Sequence, residues 1–325
     1  HGGKARRPHR SNPEKDHKMT VRVYRWDDAS APALSGAAGA LTALLSACLV
    51  SGYGAKAAAG WTETTVSTNV KNYTNAGSGK SVKVSNNAVS STARVVGCES
   101  SDGTTGPFFP TEAQLSGGLY WYVSSTADST ARPWVLVADN KRFYLWIGYS
   151  VATSTGLGTA AAMQTYFAGD ITPNKGDDAF HFAVIGGASA GATASNFGTV
   201  LGLSTQTSTG QYLSRSYSQT GGSIAFGKLS DYGIQNSTTI GASYGITYPD
   251  PVSGGMILAP VRVTEASGNI RGVMPGLWAP QHVLPGNPGD TFTGVGPLAG
   301  KTMLLLDSMA AATRCRIALE ISDTW

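Results

Sequence analysis

The chain has 325 residues, 41% of them hydrophobic and 14% charged, with 41 glycines. A chain of that length buries roughly three quarters of its unfolded surface, so it needs no disulfide or metal staples, and its glycine content implies many tight turns between short strands. The formal net charge of +4 lies wholly in residues 1–18, where six basic face two acidic side chains; the remaining residues balance eighteen against eighteen and offer no basic face for nucleic acid by count.

Lys4, Arg6, Arg7 and Arg10 dominate the basic segment. Two readings of it stay open. It is either a leader outside the folded domain, or an anchoring arm that orders on an acidic neighbour or on nucleic-acid phosphates. Residues 21–26 then alternate as a strand, 27–32 form a turn, and Ser35 is positioned to cap a helix over 36–50. Leu41, Leu44, Leu45, Cys48 and Leu49 fall on one face of that helix, and Gly52 and Gly54 stop it. Leu45-Ser46-Ala47-Cys48 resembles a lipoprotein lipobox, but Asp27, Asp28 and Pro32 interrupt the segment before it. The same run has a polar face of Ser35, Thr42 and Ser46, which argues against a membrane span.

A β rhythm follows. Residues 61–70 alternate, 81–85 and 93–98 are short strands, and 75–79 is a glycine turn. Residues 119–125 read as an aromatic strand, and 133–138 pair with 142–147 across Asp139-Asn140-Lys141 as a hairpin. The run 156–166 reads as a loop or one short helix, and 180–185 as a central strand. Further hairpins join 211–217 to 223–228, 256–263 to 270–274, and 301–306 to 314–321. The expected fold is mainly β, a sandwich-like architecture with the N-terminal amphipathic helix packed on a sheet. The expected organisation is the arm (1–18), a β domain carrying the helix (19–150) and a second β domain (151–325), unless 19–325 form one continuous domain.

Signals of chemistry fail on inspection. Gly79-Lys80-Ser81 lacks the glycine that a phosphate loop needs at position 74 and precedes a strand. Ser189 and Ser243 each sit in a G-x-S-x-G word without a clear following helix, a match that glycine- and serine-rich chains produce by chance. Outside the arm only His181 and His282 occur, and both read as structural residues. Asp177 and Asp178 form a pair able to hold a cation, or a solvated loop entering a strand. Cys48, Cys98 and Cys315 read as buried thiols, since their number is odd and no metal-ligand spacing appears. No cofactor fingerprint and no catalytic constellation emerge. The aromatics Trp121, Tyr122, Trp134, Tyr144 and Trp146 crowd three strands, whose alternation is expected to expose some of them as a subunit interface or, less favourably, a surface for glycan stacking.

Three groups of words, VRVYRWDD…SGAAGALTALLSACLVSGYGAKAAAGWT, GGLYWYVSSTADSTARPWVLVADNKRFYLWI and IRGVMPGLW…GDTFTG…LAGKTMLLL…ISDTW, together resemble a family of uncharacterised tailed-bacteriophage virion proteins over nearly all of 19–325. The resemblance implies a structural component of the tail or adsorption apparatus, made in the host cytoplasm and acting through homo-oligomeric and virion-protein contacts. Capsid decoration or binding to a host-surface glycan is the alternative. It implies no catalytic residues, and a secreted hydrolase or lipoprotein is disfavoured.

Overall fold

The computed structural model describes residues 20–150, 162–187, 210–219, 222, 224–225, 249–281, 286–310, 313–322 and 324–325. The fold is mainly β, with one helix of 12 residues among the described residues. Six early strands form a front sheet: β2 (Thr62–Ser67), β3 (Val70–Thr74), β4 (Ser81–Ser85), β5 (Thr92–Cys98) and β6 (Phe108–Phe109) in sequence order, with β7 (Leu119–Tyr122) also paired to β5. Thirteen others form one hydrogen-bonded network that divides at β10 into a middle and a back sheet.

The middle sheet starts with β1 (Arg22–Arg25), which pairs β8 (Trp134–Ala138); β8 pairs β9 (Arg142–Ile147), and β9 pairs β10 (Ala162–Asp170). It continues through β12 (Phe182–Ile185), β13 (Gln211–Leu213) and β14 (Ile224–Ala225). The back sheet holds β11 (Thr172–Pro173), β15 (Leu258–Thr264), β16 (Ile270–Pro280), β17 (Thr291–Thr293), β18 (Thr302–Ala310) and β19 (Thr313–Glu320). At its start β10 pairs β18 through Ala162↔Ala310 and Met163↔Met309, and then it pairs β9 from Gln164 to Gly169. The boundary expected near residue 150 therefore falls between two strands that share a ladder, and the chain on either side of it builds one network.

Side-chain alternation assigns the layers. On one face of the middle sheet Trp134, Leu136, Phe143, Leu145, Tyr166 and Phe182 stand together by register. This face meets the front sheet: Trp121 stacks on Tyr166 with centroids 5.2 Å apart, and Phe109 meets Phe182 edge-on at 5.9 Å. Tyr144 stands on the opposite face, where its hydroxyl donates to the Pro275 carbonyl of β16 at 2.8 Å and its ring meets Trp325 at 5.5 Å. The middle sheet is thus covered on both sides, and a single core cluster runs through all three layers.

The helix lies between the front and middle sheets. Leu41, Leu44, Leu45, Cys48 and Leu49 are fully buried, as their spacing predicts; each leucine buried there contributes roughly 1.5–3 kcal/mol. Its start differs from the expected 36–50. The α-helix α1 runs over Ala40–Ser46 and continues as a π-helical turn over Ala47–Ser51. Ser35 does not cap it; its hydroxyl accepts from the Ala37 N–H instead, and Leu41 N–H donates to the Asn86 side-chain carbonyl at 2.9 Å. Gly52 ends the helix with a positive φ of 79° and an extended ψ of 171°, backbone open mainly to glycine. No helix among the described residues is long and apolar enough to cross a membrane.

Two other expectations change. Residues 61–70 are not one strand: Asn69 takes a positive φ of 56°, and the chain turns there from β2 into β3. Within 156–166, the described part begins β10 and is strand, neither loop nor helix. The hairpins at 133–147, 256–274 and 301–321 form as expected, and β13 pairs β14.

Candidate functional site

The five aromatics, some of which the strand alternation was expected to expose, are all in the interior. Trp121, Trp134 and Trp146 are 0% exposed, Tyr144 1% and Tyr122 5%. Their polar ends are satisfied inside the fold: Trp121 Nε1 donates to the Ile185 carbonyl at 2.8 Å and Trp134 Nε1 to the Pro32 carbonyl at 3.1 Å. Tyr122 meets Tyr149 edge-on at 4.4 Å. Trp134, Tyr144 and Trp146 lie in strands with a covering layer on each face, and all five side chains lack the exposure that a subunit interface or a stacked sugar needs.

The acidic pair is separated as well. Asp178 is buried against Arg271, which donates to its Oδ2 through Nε at 3.1 Å and Nη2 at 2.5 Å. Arg271 Nη1 also donates to Glu265 Oε1 at 2.7 Å and to the Arg215 carbonyl at 2.5 Å. Asp177 points outward beside Lys175. A carboxylate engaged by a guanidinium is a poor cation ligand, and no group of three potential metal ligands occurs among the described residues. The basic arm, Ser189, Ser243 and His282 lie outside the described residues, as does the side chain of Cys315. Cys48 and Cys98 are buried free thiols; burial pushes Cys48 well above the ordinary thiol range and raises Cys98 as well.

Lys80 and His181 both have partners within the fold. Lys80 Nζ donates to the Ala179 carbonyl at 2.6 Å and lies 4.7 Å over the Phe180 ring, so no phosphate loop forms. His181 lines an open cleft of about 450 Å³ with Asp170, Ser78, Lys141 and Thr172. Its Nδ1 faces the Asp178 carbonyl and its Nε2 lies 3.6 Å from Asp170 Oδ2. Burial opposes its charge, but the Asp170 carboxylate outweighs burial and raises the imidazole above its usual value. A carbonyl at one ring nitrogen and a carboxylate near the other both favour the protonated imidazole. The Ser78 hydroxyl donates to Asp170 Oδ1 at 2.6 Å, so the carboxylate sits between serine and histidine, an order unlike that of a nucleophilic triad.

The outward face of the front sheet carries the remaining candidate. Register sets Lys83 opposite Val96 and Ser85 opposite Arg94, so all four side chains share one face. Phe108, Pro110, Glu112 and the Gly117-Gly118 turn wall a groove of about 290 Å³ over it. Lys83 Nζ lies 4.4 Å above the Phe108 ring; the Arg94 guanidinium lies 3.6 Å above Tyr120 and donates to the Gly118 carbonyl at 2.5 Å. Gly117 has φ 71°, and a Cβ there would approach the guanidinium carbon to 3.2 Å, so the bare backbone gives Arg94 its room.

No protein-family model and no curated protein matches this chain. The assignment of the site therefore rests on its own geometry. Sequence reasoning missed the groove, although the alternation in SVKVS and TARVV places Lys83 and Arg94 opposite the buried valines. What no local pattern shows is that β6 pairs β5 and so brings the Phe108 ring within reach of Lys83.

Proposed function

We propose that this chain is a structural component of a tailed-bacteriophage virion, belonging to the tail or adsorption apparatus, made in the host cytoplasm and acting through contacts with its own copies and with other virion proteins. In this reading it performs no catalytic step. The observation that carries the proposal is where the words of the family resemblance fall. GYGAKAAAGWT is a junction between the helix and the middle sheet: Tyr53 donates to Asp28 at 2.8 Å, and Lys56 Nζ to the Val23 carbonyl at 3.0 Å. Ala57 accepts from the Tyr24 hydroxyl at 2.8 Å, and Trp61 Nε1 donates to the Asp139 carbonyl at 2.9 Å. The most distinctive sequence of the chain is thus spent on joining layers, which suits a load-carrying part.

The test is cryo-electron microscopy and mass spectrometry of purified virions of the phage that encodes the chain. The chain should be present in copies that follow the tail symmetry; copies on the capsid lattice would reassign it to capsid decoration, and absence from virions would refute the proposal. Virions built with a chain lacking residues 1–18 test the arm, because lowered occupancy identifies an anchor and full occupancy a leader.

A further inference from the structure

The groove on the front sheet holds two pinned cations and one acid. Lys83 has neither a carboxylate nor a hydrogen-bond acceptor among the described residues, and the Ser85 hydroxyl likewise has no partner there. Arg94 is steered by Gly118 and Tyr120. Glu112 is held in place by the Ser116 hydroxyl at 2.5 Å and the Gly117 N–H at 2.9 Å, with lone pairs to spare. Val96 and Pro110 supply apolar surface between these polar groups.

We infer that this groove binds a carboxylate-bearing sugar, one saccharide unit deep. Two cations against one carboxylate leave a local charge of one that a monoanion neutralises, whereas a dianionic phosphate brings one negative charge more than the groove balances. The volume of about 290 Å³ is at the lower end for small-molecule sites, enough for a single saccharide ring. One face of Phe108 and one of Tyr120 are already covered by Lys83 and Arg94, so recognition works through charge and hydroxyl groups more than through ring stacking. The ligand acid meets Lys83, while Ser85 Oγ and the Glu112 carboxylate are free to accept from sugar hydroxyls. A neutral sugar leaves Lys83 unpaired. The inference concerns a different surface from the buried aromatics and does not rest on the virion proposal.

Isothermal titration of the full chain with glucuronate, N-acetylneuraminate, glucose and glucose 6-phosphate at low salt tests it. Glucuronate or N-acetylneuraminate should bind, with glucose and glucose 6-phosphate weaker. Lys83→Gln should lower the affinity for the acidic sugar about tenfold, the loss expected for one charge-assisted hydrogen bond, and leave the melting temperature unchanged. Ser85→Ala should weaken it by a few-fold, and Glu112→Gln should improve glucose 6-phosphate. The inference is overturned if neither acidic sugar binds, if glucose or glucose 6-phosphate binds as well as the acids, or if Lys83→Gln keeps full affinity.

Discussion

Replacing Arg271 with methionine removes the one cation shared by two interior carboxylates. The side chains of Arg271, Asp178 and Glu265 are 1%, 2% and 1% exposed, and the guanidinium joins the segment before β12 to the β15–β16 hairpin. Methionine fills much of the volume, so the loss is mainly electrostatic. Breaking a buried pair from one side costs about 3–5 kcal/mol, because the charge left behind has neither water nor a partner. With an unfolding entropy of about 2.1 cal/mol/K per residue, this lowers the melting temperature by roughly 4–7 °C for the whole chain. Differential scanning calorimetry at neutral pH measures the shift. Adding Asp178→Asn and Glu265→Gln to Arg271→Met should recover more than half of it, since neutral amides no longer demand the cation. A single variant melting within about 1 °C of the parent, or a triple variant no better than the single, would refute the electrostatic account.

Three further outcomes follow from the same geometry. Leu45→Asp puts a charge into the fully buried helix face and should abolish soluble expression, whereas Leu45→Ala should fold with a loss of about 2–5 kcal/mol in denaturant titration; a soluble aspartate variant would contradict the core position. Asn86→Ala removes the acceptor for Leu41 N–H and should lower stability by about 0.5–2 kcal/mol in the same titration, as loss of a helix cap does, and no change would show that the bond carries nothing. The Asp170–His181 pair makes stability depend on pH: burial opposes both charges, but the pair outweighs it, holding the imidazole above and the carboxylate below their usual values. The histidine's contribution is complete below its unfolded value near 6.5 and is lost as pH rises through the higher folded value; the aspartate's is present above its unfolded value near 3.8 and is lost as pH falls through the lower folded value. His181→Gln should therefore lower the melting temperature more at pH 5.5 than at pH 9, and an equal loss at both would count against the ion pair.

Elements whose pairing is decided by adjacent residues were legible. The β8–β9 hairpin is set by Asp139, whose Oδ1 accepts from Lys141 and Arg142 N–H at 2.7 and 2.8 Å, and the β15–β16 hairpin by Gly268 with φ 87°. The break at Asn69 was also available, in a residue type that tolerates left-handed backbone. What stayed hidden comes from far along the chain. The helix start depends on Asn86, and the burial of Tyr144 depends on β16 and Trp325, so period-two alternation in β8 and β9 was misread as one wet and one dry face. A strand covered on both sides needs no alternation of polarity, and its aromatics then say nothing about ligands.

The double allegiance of β10 has a consequence for synthesis. As the chain leaves the ribosome, β1, β8 and β9 can assemble with the front sheet, but the outset of β10 must wait for Met309 and Ala310 to arrive. Until then the nascent protein carries an unpaired, largely apolar strand edge, which is a template for wrong pairing with a neighbouring copy. The ladder of β10 is therefore complete only when the terminal hairpin has docked.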